Sequence, residues 1–516
     1  MTGPAAITIG DAPLSAADVA AIARGHAEAE LSTAGRARIA ASHAALLQAA
    51  EAGTAIYGVT TGLGAVADTA VQAGDAGRQE RVILGRAVAV GRVAADDEVR
   101  AMMAARLAGF AVGRSGVSPA VAEALLALLR HRVHPVVPTT GSLGEADLAP
   151  LAHLASVLVG AGEARLGDRT LAGAQALAEA GIEPPTLAGK DGLALVSSNA
   201  AAVGLGALAV ADAVDALGGL LAAAALSFEG FRANVAPLRP EAVALRPAPG
   251  QAAVSGVLLD LLAGGELLRP GTARRLQDPL SFRCVGPVYG AAAAALRAAT
   301  EAVELELNTA DDNPAVVPGA GVVPTANFDT THLALAFGTL NQALARVAAT
   351  IGMRTHKLMS ERDSGLPRFL TSHPDGRSGF APVQKTVAAL TAEIQHASAP
   401  LPAWVMPVAD GIEDVATLSL PTVEKTREIV ARLRLLAAVE LMVAAQACDL
   451  RDGIALGTAA AAVLAAVRER VPPLADDRSP APDIAALDAL VAEGRFAAPG
   501  AEALAQTGPV YSPRAG

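Results

Sequence analysis

The feature that most constrains this chain is a series of long segments, rich in Ala, Leu and Val, that fill its second part. Their apolar residues recur at the three- and four-residue spacing of a helix that buries one face. Aromatic residues are only 3% of the sequence, which favours close-packed helices over a β-sandwich. The spacing predicts long helices, suited to a helical bundle, over residues 200–228, 286–307, 331–359, 381–398 and 421–449.

Shorter helical patterns with Gly-rich turns precede these helices, and a Pro-rich stretch follows them. We therefore predict a mainly α fold, with a long central helical bundle and a smaller N-terminal α-rich domain. The predicted divisions are an N-terminal domain over 1–195, a central bundle over 196–470 and a C-terminal helical tail over 471–516. The uncharged run 192–211 approaches the length of a membrane span, but its Ser, Asn and Gly residues indicate a buried bundle helix.

Composition excludes several classes of partner and site. The formal net charge is −11 and no Lys/Arg-rich run occurs, so we expect no nucleic-acid partner. Cys284 and Cys448 are too few for a disulfide framework, and neither a zinc-ligand spacing nor a phosphate-cradling Gly loop is present. The first residues lack a basic segment followed by an apolar run, so no secretion signal is predicted. We expect a soluble cytoplasmic protein with no membrane partner and no metal.

Polar loops between the helices carry the candidate functional residues. Tyr57 lies in YGVTTGLG, whose glycines let a ligand approach the backbone, although a buried structural Tyr explains the pattern equally well. Arg283 in QDPLSFRC has apolar neighbours, and its guanidinium suits either a bidentate carboxylate contact or an internal salt bridge. Lys385 in APVQKTVAAL interrupts an apolar helix face, and taken alone it fits a side chain that reaches solvent.

Other polar residues in these loops have simpler structural explanations. Asn308 and Asn313 in LNTADDNPAV favour helix capping. Glu413 and Asp414 in GIEDV resemble a helix start, where carboxylates suit the helix dipole. The same interpretation is open for Glu145, which stands between turn-prone glycines and an apolar run in TTGSLGEADLAPLAHLA.

Over nearly the whole chain, and in the same order, these loops resemble the aromatic amino-acid ammonia-lyase family, especially its histidine ammonia-lyases. YGVTTGLG is similar to the loop of the family's general base, QDPLSFRC to its carboxylate-binding loop, and GSLG with DLAPLAH to its prosthetic-group motif. DGLALVSSNA, NTADDNP, ANF, SERD with GLPRFL, and GIEDV also fit in register.

This resemblance implies an ammonia-lyase/fumarase-like architecture and assigns two roles. It makes Tyr57 the general base and Arg283 the ligand of the substrate carboxylate. It also implies a homotetramer in which loops of neighbouring chains complete each active site. The apolar excess of the long helices agrees with that assembly, because a single bundle could hardly bury it.

The resemblance breaks at the prosthetic-group motif. The family normally carries Ala-Ser-Gly there, and these residues cyclise to an electrophilic methylidene-imidazolone. This chain has only Glu145 and Ala146 in that place, so we expect neither that group nor any other cofactor. Further departures from the family pattern are Arg86 for His, Ser197 for Asn, Leu280 for Tyr and Asp329 for His.

A lyase without the electrophile needs a substrate whose nitrogen already leaves readily. A trimethylammonium fits, because it departs as a neutral amine. The chain resembles most the ergothionase branch, which lacks the group and converts ergothioneine to thiolurocanate and trimethylamine, and this predicts a betaine lyase in which Glu145 attracts the trimethylammonium. The predicted substrate-binding residues are Lys385, Glu413, Asp329, Arg86, Ser197, Asn313 and Phe328. Two alternatives are a conventional histidine or other aromatic amino-acid ammonia-lyase, and a non-catalytic binding protein on a lyase scaffold.

Overall fold

The computed structural model describes residues 5–71, 77–373, 376–402, 404–451 and 453–508. The chain forms two compact units. Unit 1 comprises Met1–Ala211, Thr300–Leu335 and Leu401–Glu424, and unit 2 comprises Asp212–Ala299, Ala336–Pro400 and Lys425–Gly516. Each unit is assembled from separate stretches of chain, and four of the five boundaries fall inside long helices. The units therefore differ from the three consecutive segments predicted from the sequence.

The described strands all belong to unit 1 and are short. They are β1 (Ala5–Ile9), β2 (Ala27–Leu31), β3 (Val90–Val93), β4 (Val133–Pro135), β5 (Pro138–Thr140), β6 (Glu163–Leu166), β7 (Arg169–Ala172), β8 (Ala315–Val317) and β9 (Gly321–Val323). β1 pairs in parallel with β2, in a register that joins Ala5 to Ala27 and Ile9 to Leu31. The antiparallel sheets are β3–β5, β4–β6–β7 and β8–β9.

The first helices also belong to unit 1, and local sequence signals start several of them. They are α1 (Ala16–Ala23), α2 (Thr33–Glu51), α3 (Arg78–Leu84), α4 (Asp96–Val112), α5 (Pro119–Arg130), α6 (Leu148–Leu158), α7 (Gly173–Ala180) and α8 (Asp191–Val196). Ser15 caps α1 in a reciprocal capping box with Asp18. Ser118 caps α5, which begins with a Pro whose fixed φ suits the first helical position.

The long helices confirm the predicted periodicity to within a few residues at each end. The remaining helices are α9 (Ala200–Phe231), α10 (Pro240–Ala244), α11 (Gln251–Leu261), α12 (Leu280–Arg283), α13 (Val285–Leu307), α14 (Thr331–Leu358), α15 (Glu361–Ser364), α16 (Val383–Ala397), α17 (Ser419–Asp449), α18 (Thr458–Arg470), α19 (Ala481–Ala492) and α20 (Ala497–Gln506). Small residues let them approach closely. A Cβ on Gly204 of α9 would lie 2.6 Å from the carbonyl carbon of Ala101 on α4.

The run 192–211 is buried, as predicted, but it is not one helix, because the pattern of helical hydrogen bonds breaks between α8 and α9. Ser198 Oγ and the Asn199 N–H each donate to a carboxylate oxygen of Asp311, at 2.7 Å. These bonds to Asp311 take the place of the backbone hydrogen bonds that a continuous helix would make there. The stretch Asp191–Phe231 is long and apolar enough to cross a membrane, and its most apolar 18 residues are entirely buried inside the protein. The cytoplasmic location stays a prediction.

Each unit encloses a paired charge network. In unit 1, Arg106 binds Asp312 at 2.9 Å and Asp311 at 3.4 Å, and the fully buried Lys190 lies 3.4 Å from Asp312. In unit 2, Arg354 holds both carboxylate oxygens of Glu440, at 2.5 and 2.8 Å. Loss of one partner from such a network would leave an uncompensated buried charge, which is strongly destabilising.

Candidate active site

Unit 1 contains a cavity of about 620 Å³ that gathers most of the predicted site residues. Every residue that lines it belongs to unit 1. The predicted residues in its lining are Tyr57, Arg86, Glu145, Ser197, Asn313, Phe328 and Glu413. They come from loops far apart in the sequence, so the fold has brought them together around one space large enough for a small molecule.

Tyr57 is half-buried at the edge of this cavity. Its phenol oxygen accepts a hydrogen bond from the Gly64 N–H at 2.9 Å. Gly58 and Gly64 both have positive φ, of +73° and +56°, which explains the glycines that surround the Tyr. A Cβ on Gly58 would also lie 2.5 Å from Leu193 Cδ2. The loop therefore presents the phenol to the cavity instead of burying it in the core.

The turn that carries Glu145 is tied down through its backbone. The Leu143 carbonyl accepts the Leu418 N–H at 2.9 Å. The Gly144 carbonyl accepts both the Thr330 and the Thr417 hydroxyl, each at 2.9 Å. Gly144 has φ +84°, and a Cβ there would lie 2.0 Å from Thr417 Oγ1. Only glycine fits this position, so the Gly before Glu145 is required by the packing around it.

Asn199 connects the same turn to the segment before α14. Its side-chain oxygen accepts the Ala146 N–H at 3.1 Å, and its side-chain nitrogen donates to the Phe328 carbonyl at 2.8 Å. Its own N–H is held by Asp311, which Arg106 holds in turn. Sequence reasoning missed Asn199, which is fully buried. An Asn after the Ser-Ser pair gives no local signal for a contact with a distant segment.

Glu145 occupies an acidic part of the cavity. Its Oε1 is buried and has no hydrogen-bond partner among the residues that the structure describes. Burial, together with the carboxylates of Asp329 and Glu413, raises the pKa of Glu145 to about 7, against a weaker opposing effect of the Thr417 N–H. The Glu145 backbone also forms a β-bridge with Asp329. Glu145 lies three residues before the start of α6. Its acidic surroundings suit a ligand that carries positive charge.

Arg86 supplies a guanidinium to the described cavity lining, which also contains four carboxylates. Burial lowers its pKa, whereas Tyr57 and Glu413 raise it, which places both groups within reach of its charge. The carboxylates belong to Asp68, Glu145, Glu413 and Asp414. Such a cavity favours a ligand that carries positive charge.

The sequence predicted helix capping by Asn308 and Asn313 and a helix start at Glu413. Asn308 caps the end of α13, because its side-chain nitrogen donates to the Glu304 carbonyl at 2.7 Å, as predicted. The capping prediction for Asn313 was wrong, since its side-chain oxygen accepts the Thr325 N–H at 3.0 Å in a loop. The helix start at Glu413 was also wrong. Glu413 follows a turn and bridges to Val408, and α17 begins only at Ser419.

Arg283 and Lys385 belong to unit 2 and are not part of the described cavity lining. Arg283 is half-buried at the end of α12. Arg354 supports this short helix by donating to the Ser281 carbonyl at 3.1 Å, and Arg354 is itself held by Glu440. Lys385 is exposed on α16. The roles of Arg283 and Lys385 in substrate binding stay predictions.

The residues of the Glu145 turn do not fit the precursor of a methylidene-imidazolone. Ring closure needs a Ser and a following Gly, and neither lies between Gly144 and Asp147. The nearby Ser142 is already engaged: its hydroxyl donates to Asp147 at 2.6 Å and accepts the Gly144 N–H at 3.0 Å. Burial, partly offset by that hydroxyl, raises the pKa of Asp147 to about 6. Ser142 thus serves the turn.

Comparison with known proteins supports a single family. The family profile described as "Aromatic amino acid lyase" matches residues 14–469. Histidine ammonia-lyase from Anaeromyxobacter sp. (strain K) is 39% identical over 497 residues, which cover 93% of this chain and 97% of that protein.

Solved structures agree with the sequence comparison. The crystal structure of ergothionase from Treponema denticola, in complex with desmethyl-ergothioneine sulfonic acid, matches with a TM-score of 0.89 and 28% identity, over 95% of this chain and 99% of that one. Histidine ammonia-lyase from Trypanosoma cruzi matches with a TM-score of 0.89 and 26% identity, over 99% and 98% of the two chains. The predicted mainly α, ammonia-lyase-type fold is confirmed. The chain therefore belongs to the aromatic amino acid lyase family and is a carbon–nitrogen lyase.

Proposed function

We propose that this lyase eliminates trimethylamine from ergothioneine, giving thiolurocanate, and that it does so without a methylidene-imidazolone. One observation carries the proposal. Glu145 stands where the resembled family has the precursor of its electrophile, and it lines the cavity that holds Tyr57. A trimethylammonium has no N–H to donate, so it is recognised by charge and shape, and an unpartnered carboxylate oxygen in an acidic cavity supplies that charge.

The proposed reaction is a β-elimination that needs a base and no electrophile. The Tyr57 phenolate removes the β-proton, and the electrons of the C–H bond form the double bond to the α-carbon. The C–N bond breaks, and trimethylamine leaves as a neutral molecule with the electron pair. The thioimidazole ring accepts charge that develops at the β-carbon. Glu145 attracts the ground-state cation and loses this attraction as the neutral amine departs, so its main contribution is to binding and selection.

The substrate carboxylate and ring need partners, and the cavity lining supplies only one of those that we assign, Glu413. We assign the carboxylate to Arg283, and the ring to Lys385, Glu413 and Asp329. Because Arg283 and Lys385 are not in the described lining, a neighbouring chain of a homotetramer supplies them in this proposal. The exposed Leu276 and Leu280 before Arg283, 87% and 66% accessible, support an apolar partner surface at that segment.

A second candidate function is a conventional histidine ammonia-lyase, which the 39% identical relative favours. That reaction needs an electrophile to make the amino group leave. The composition of the Glu145 turn opposes this function, because Glu145 and Ala146 do not supply the Ser and Gly atoms from which a methylidene-imidazolone ring forms.

One assay separates the candidates. The purified protein is incubated with ergothioneine and with histidine in parallel, and volatile amine and conjugated product are measured in each. We expect trimethylamine and thiolurocanate from ergothioneine and no ammonia from histidine. Ammonia from histidine with ergothioneine untouched would overturn the proposal, and binding of ergothioneine without product would indicate a non-catalytic binding protein. Tyr57→Phe is the matched inactive control, because it removes the base and keeps the ring.

A further inference from the structure

The helix that carries Arg283 is too short to hold its own position. α12 has four residues, whereas isolated helices shorter than about 12 residues are only marginally stable in water. Arg283 is the last residue of α12. A bidentate contact with a carboxylate requires its guanidinium to be held within about 0.5 Å of the productive place. Contacts from other helices therefore have to fix α12.

Two contacts hold the residues directly before Arg283. The Arg354 Nη1 of α14 donates to the Ser281 carbonyl at 3.1 Å. Carbonyls at the end of a helix lack partners within that helix, and Arg354 supplies one here. The ring of Phe282 stacks on Phe231 of α9, with the two centroids 4.1 Å apart. The backbone is thus held at one position and the side chain at the next.

A buried network fixes Arg354 itself. Its Nε and Nη2 donate to the two carboxylate oxygens of Glu440, at 2.5 and 2.8 Å, and Nη2 also donates to the Tyr289 hydroxyl at 2.7 Å. The Ser227 hydroxyl donates to Glu440 at 2.6 Å. These side chains are fully buried and come from α9, α13, α14 and α17. The long helices therefore hold the guanidinium in one orientation, with its Nη1 directed to α12.

We propose that Arg354 is the positioning residue of Arg283, and that it holds the Ser281 carbonyl so that the guanidinium two residues later meets the substrate carboxylate. The assignment rests on the proposed function, in which Arg283 binds that carboxylate. A planar guanidinium suits this task, because it binds Glu440 with two nitrogens and still offers the third to α12. An ammonium donates from a single nitrogen and cannot reproduce both contacts. Arg354 is fully buried and acts only through α12.

The first test needs no substrate. Hydrogen–deuterium exchange of the complete enzyme is followed by mass spectrometry over residues 280–284, where the last N–H groups of α12 bond to carbonyls at 2.8 to 3.2 Å. Arg354→Lys should speed exchange there by about 10-fold, because α12 opens more often once the Ser281 carbonyl loses its partner. Unchanged exchange over α12 in the folded variant would overturn the proposal.

Gln446→Ala is the matched control for a buried loss on α17. The Gln446 side chain bonds to both the N–H and the carbonyl of Leu474 and to the Leu370 carbonyl, at 2.8 to 3.3 Å. Its removal should lower the thermal midpoint and leave exchange over α12 at the wild-type rate. Equal acceleration over α12 in both variants would assign the effect to general loosening and overturn the proposal.

A double substitution keeps the test available if Arg354→Lys does not fold. Arg354→Met combined with Glu440→Gln removes both charges together, so no uncompensated charge stays inside the protein. The Gln amide oxygen can still accept from Ser227. The bond to the Ser281 carbonyl is lost in this variant too, so exchange over α12 should rise as in Arg354→Lys, and unchanged exchange would again overturn the proposal.

The second test asks whether the effect is confined to the substrate carboxylate. In Arg354→Lys the KM for ergothioneine should rise by roughly 10-fold or more, with a smaller change in kcat, because a contact formed on binding is weakened. An inhibitor made from ergothioneine by replacing the carboxylate with hydrogen should bind the variant and the wild type equally. An equal loss of affinity for both ligands would indicate a general disturbance of the site and contradict the assignment.

A double-mutant cycle connects Arg354 to Arg283. Arg283→Ala alone should raise KM, or Kd where turnover is too slow to follow, and adding Arg354→Lys should raise it no further, since the group that Arg354 positions is gone. Additive losses would overturn the assignment. If exchange over α12 rises as expected but the wild type leaves ergothioneine unconsumed, the proposed substrate fails. The same cycle with histidine, whose carboxylate needs the same ligand, then decides the role of Arg354.

Discussion

Glu145, the residue that we propose binds the substrate cation, is expected to oppose stability. Its carboxylate is half-buried beside Asp329 and Glu413, and its pKa rises from the ordinary 4.5 to about 7. Between these two values the folded chain binds more protons than the unfolded chain, so this residue makes stability fall as pH rises. Above about pH 7 the ionised Glu145 lowers the free energy of unfolding by its full amount.

Glu145→Gln should therefore stabilise the protein near pH 8 and reduce the loss of stability between about pH 5 and pH 8. The thermal midpoint of each variant, measured across this range without ligand, checks it. Glu80→Gln is a matched control at an exposed position on α3. A midpoint for Glu145→Gln below that of the wild type near pH 8 would contradict the expected penalty.

The same substitution should weaken binding of a betaine. Loss of a partly desolvated charge contact is worth about 1–3 kcal/mol, or roughly 5- to 150-fold in KM, with a smaller effect on kcat. Because the pKa of Glu145 is about 7, the wild-type KM should fall as pH rises through that value. Glu145→Gln should lose this dependence. Unchanged betaine kinetics in the variant would remove Glu145 from substrate selection.

At the scale of elements, the site depends on a strap around the Glu145 turn. The strap consists of Asn199, Thr330 and Thr417, whose side chains hold the backbone of residues 144–146. Asn199 also holds the Phe328 carbonyl next to Asp329. These bonds keep two carboxylates at one place against their repulsion, which is a condition for a preformed cation site.

Asn199→Ala should loosen this strap, because the Ala146 N–H and the Phe328 carbonyl both lose their partner. One buried and one partly buried group without a partner cost about 1–3 kcal/mol in the free energy of unfolding, measured by denaturant titration. The KM for the betaine should rise more than kcat falls. Asn327→Ala is the control, since that exposed side chain makes a long bond, of 3.4 Å, to the Ala310 carbonyl. Equal effects of the two substitutions would exclude a positioning role for Asn199.

At the scale of the whole molecule, the homotetramer is a prediction with a physical basis. Large apolar side chains are exposed along the long helices, including Leu335 of α14 at 67% and Met353 at 53%. Light scattering at micromolar concentration should give the mass of four chains. A monodisperse monomer would contradict the assembly and with it the shared active site.

Shared sites make a sharper prediction for mixtures of two inactive variants. Tyr57→Phe removes the proposed base, and Arg283→Ala removes the proposed carboxylate ligand. Tetramers that contain both variants should regain part of the activity, because a site built from two chains can combine an intact Tyr57 with an intact Arg283. Separately purified tetramers, mixed without subunit exchange, are the control. Hybrid tetramers without activity would place both groups of each site in one chain.

The sequence by itself determined the elements and the family. Helical spacing in Ala/Leu/Val segments is a local property, so the long helices, including α9, α14 and α17, were predictable to within a few residues. The loop motifs, in order, predicted the family that comparison then confirmed. The unusual composition of the Glu145 turn was also visible in the sequence alone.

Only the tertiary structure decided what surrounds these residues. The break between α8 and α9 depends on Asp311, and the acidity around Glu145 depends on Asp329 and Glu413, all distant in the sequence. Capping at Asn313 and a helix start at Glu413 were reasonable local predictions, but bonds to other segments replaced them. Local patterns report backbone preference, whereas burial and electrostatic contacts arise only when separate segments meet, and those contacts make the Glu145 turn a candidate cation site.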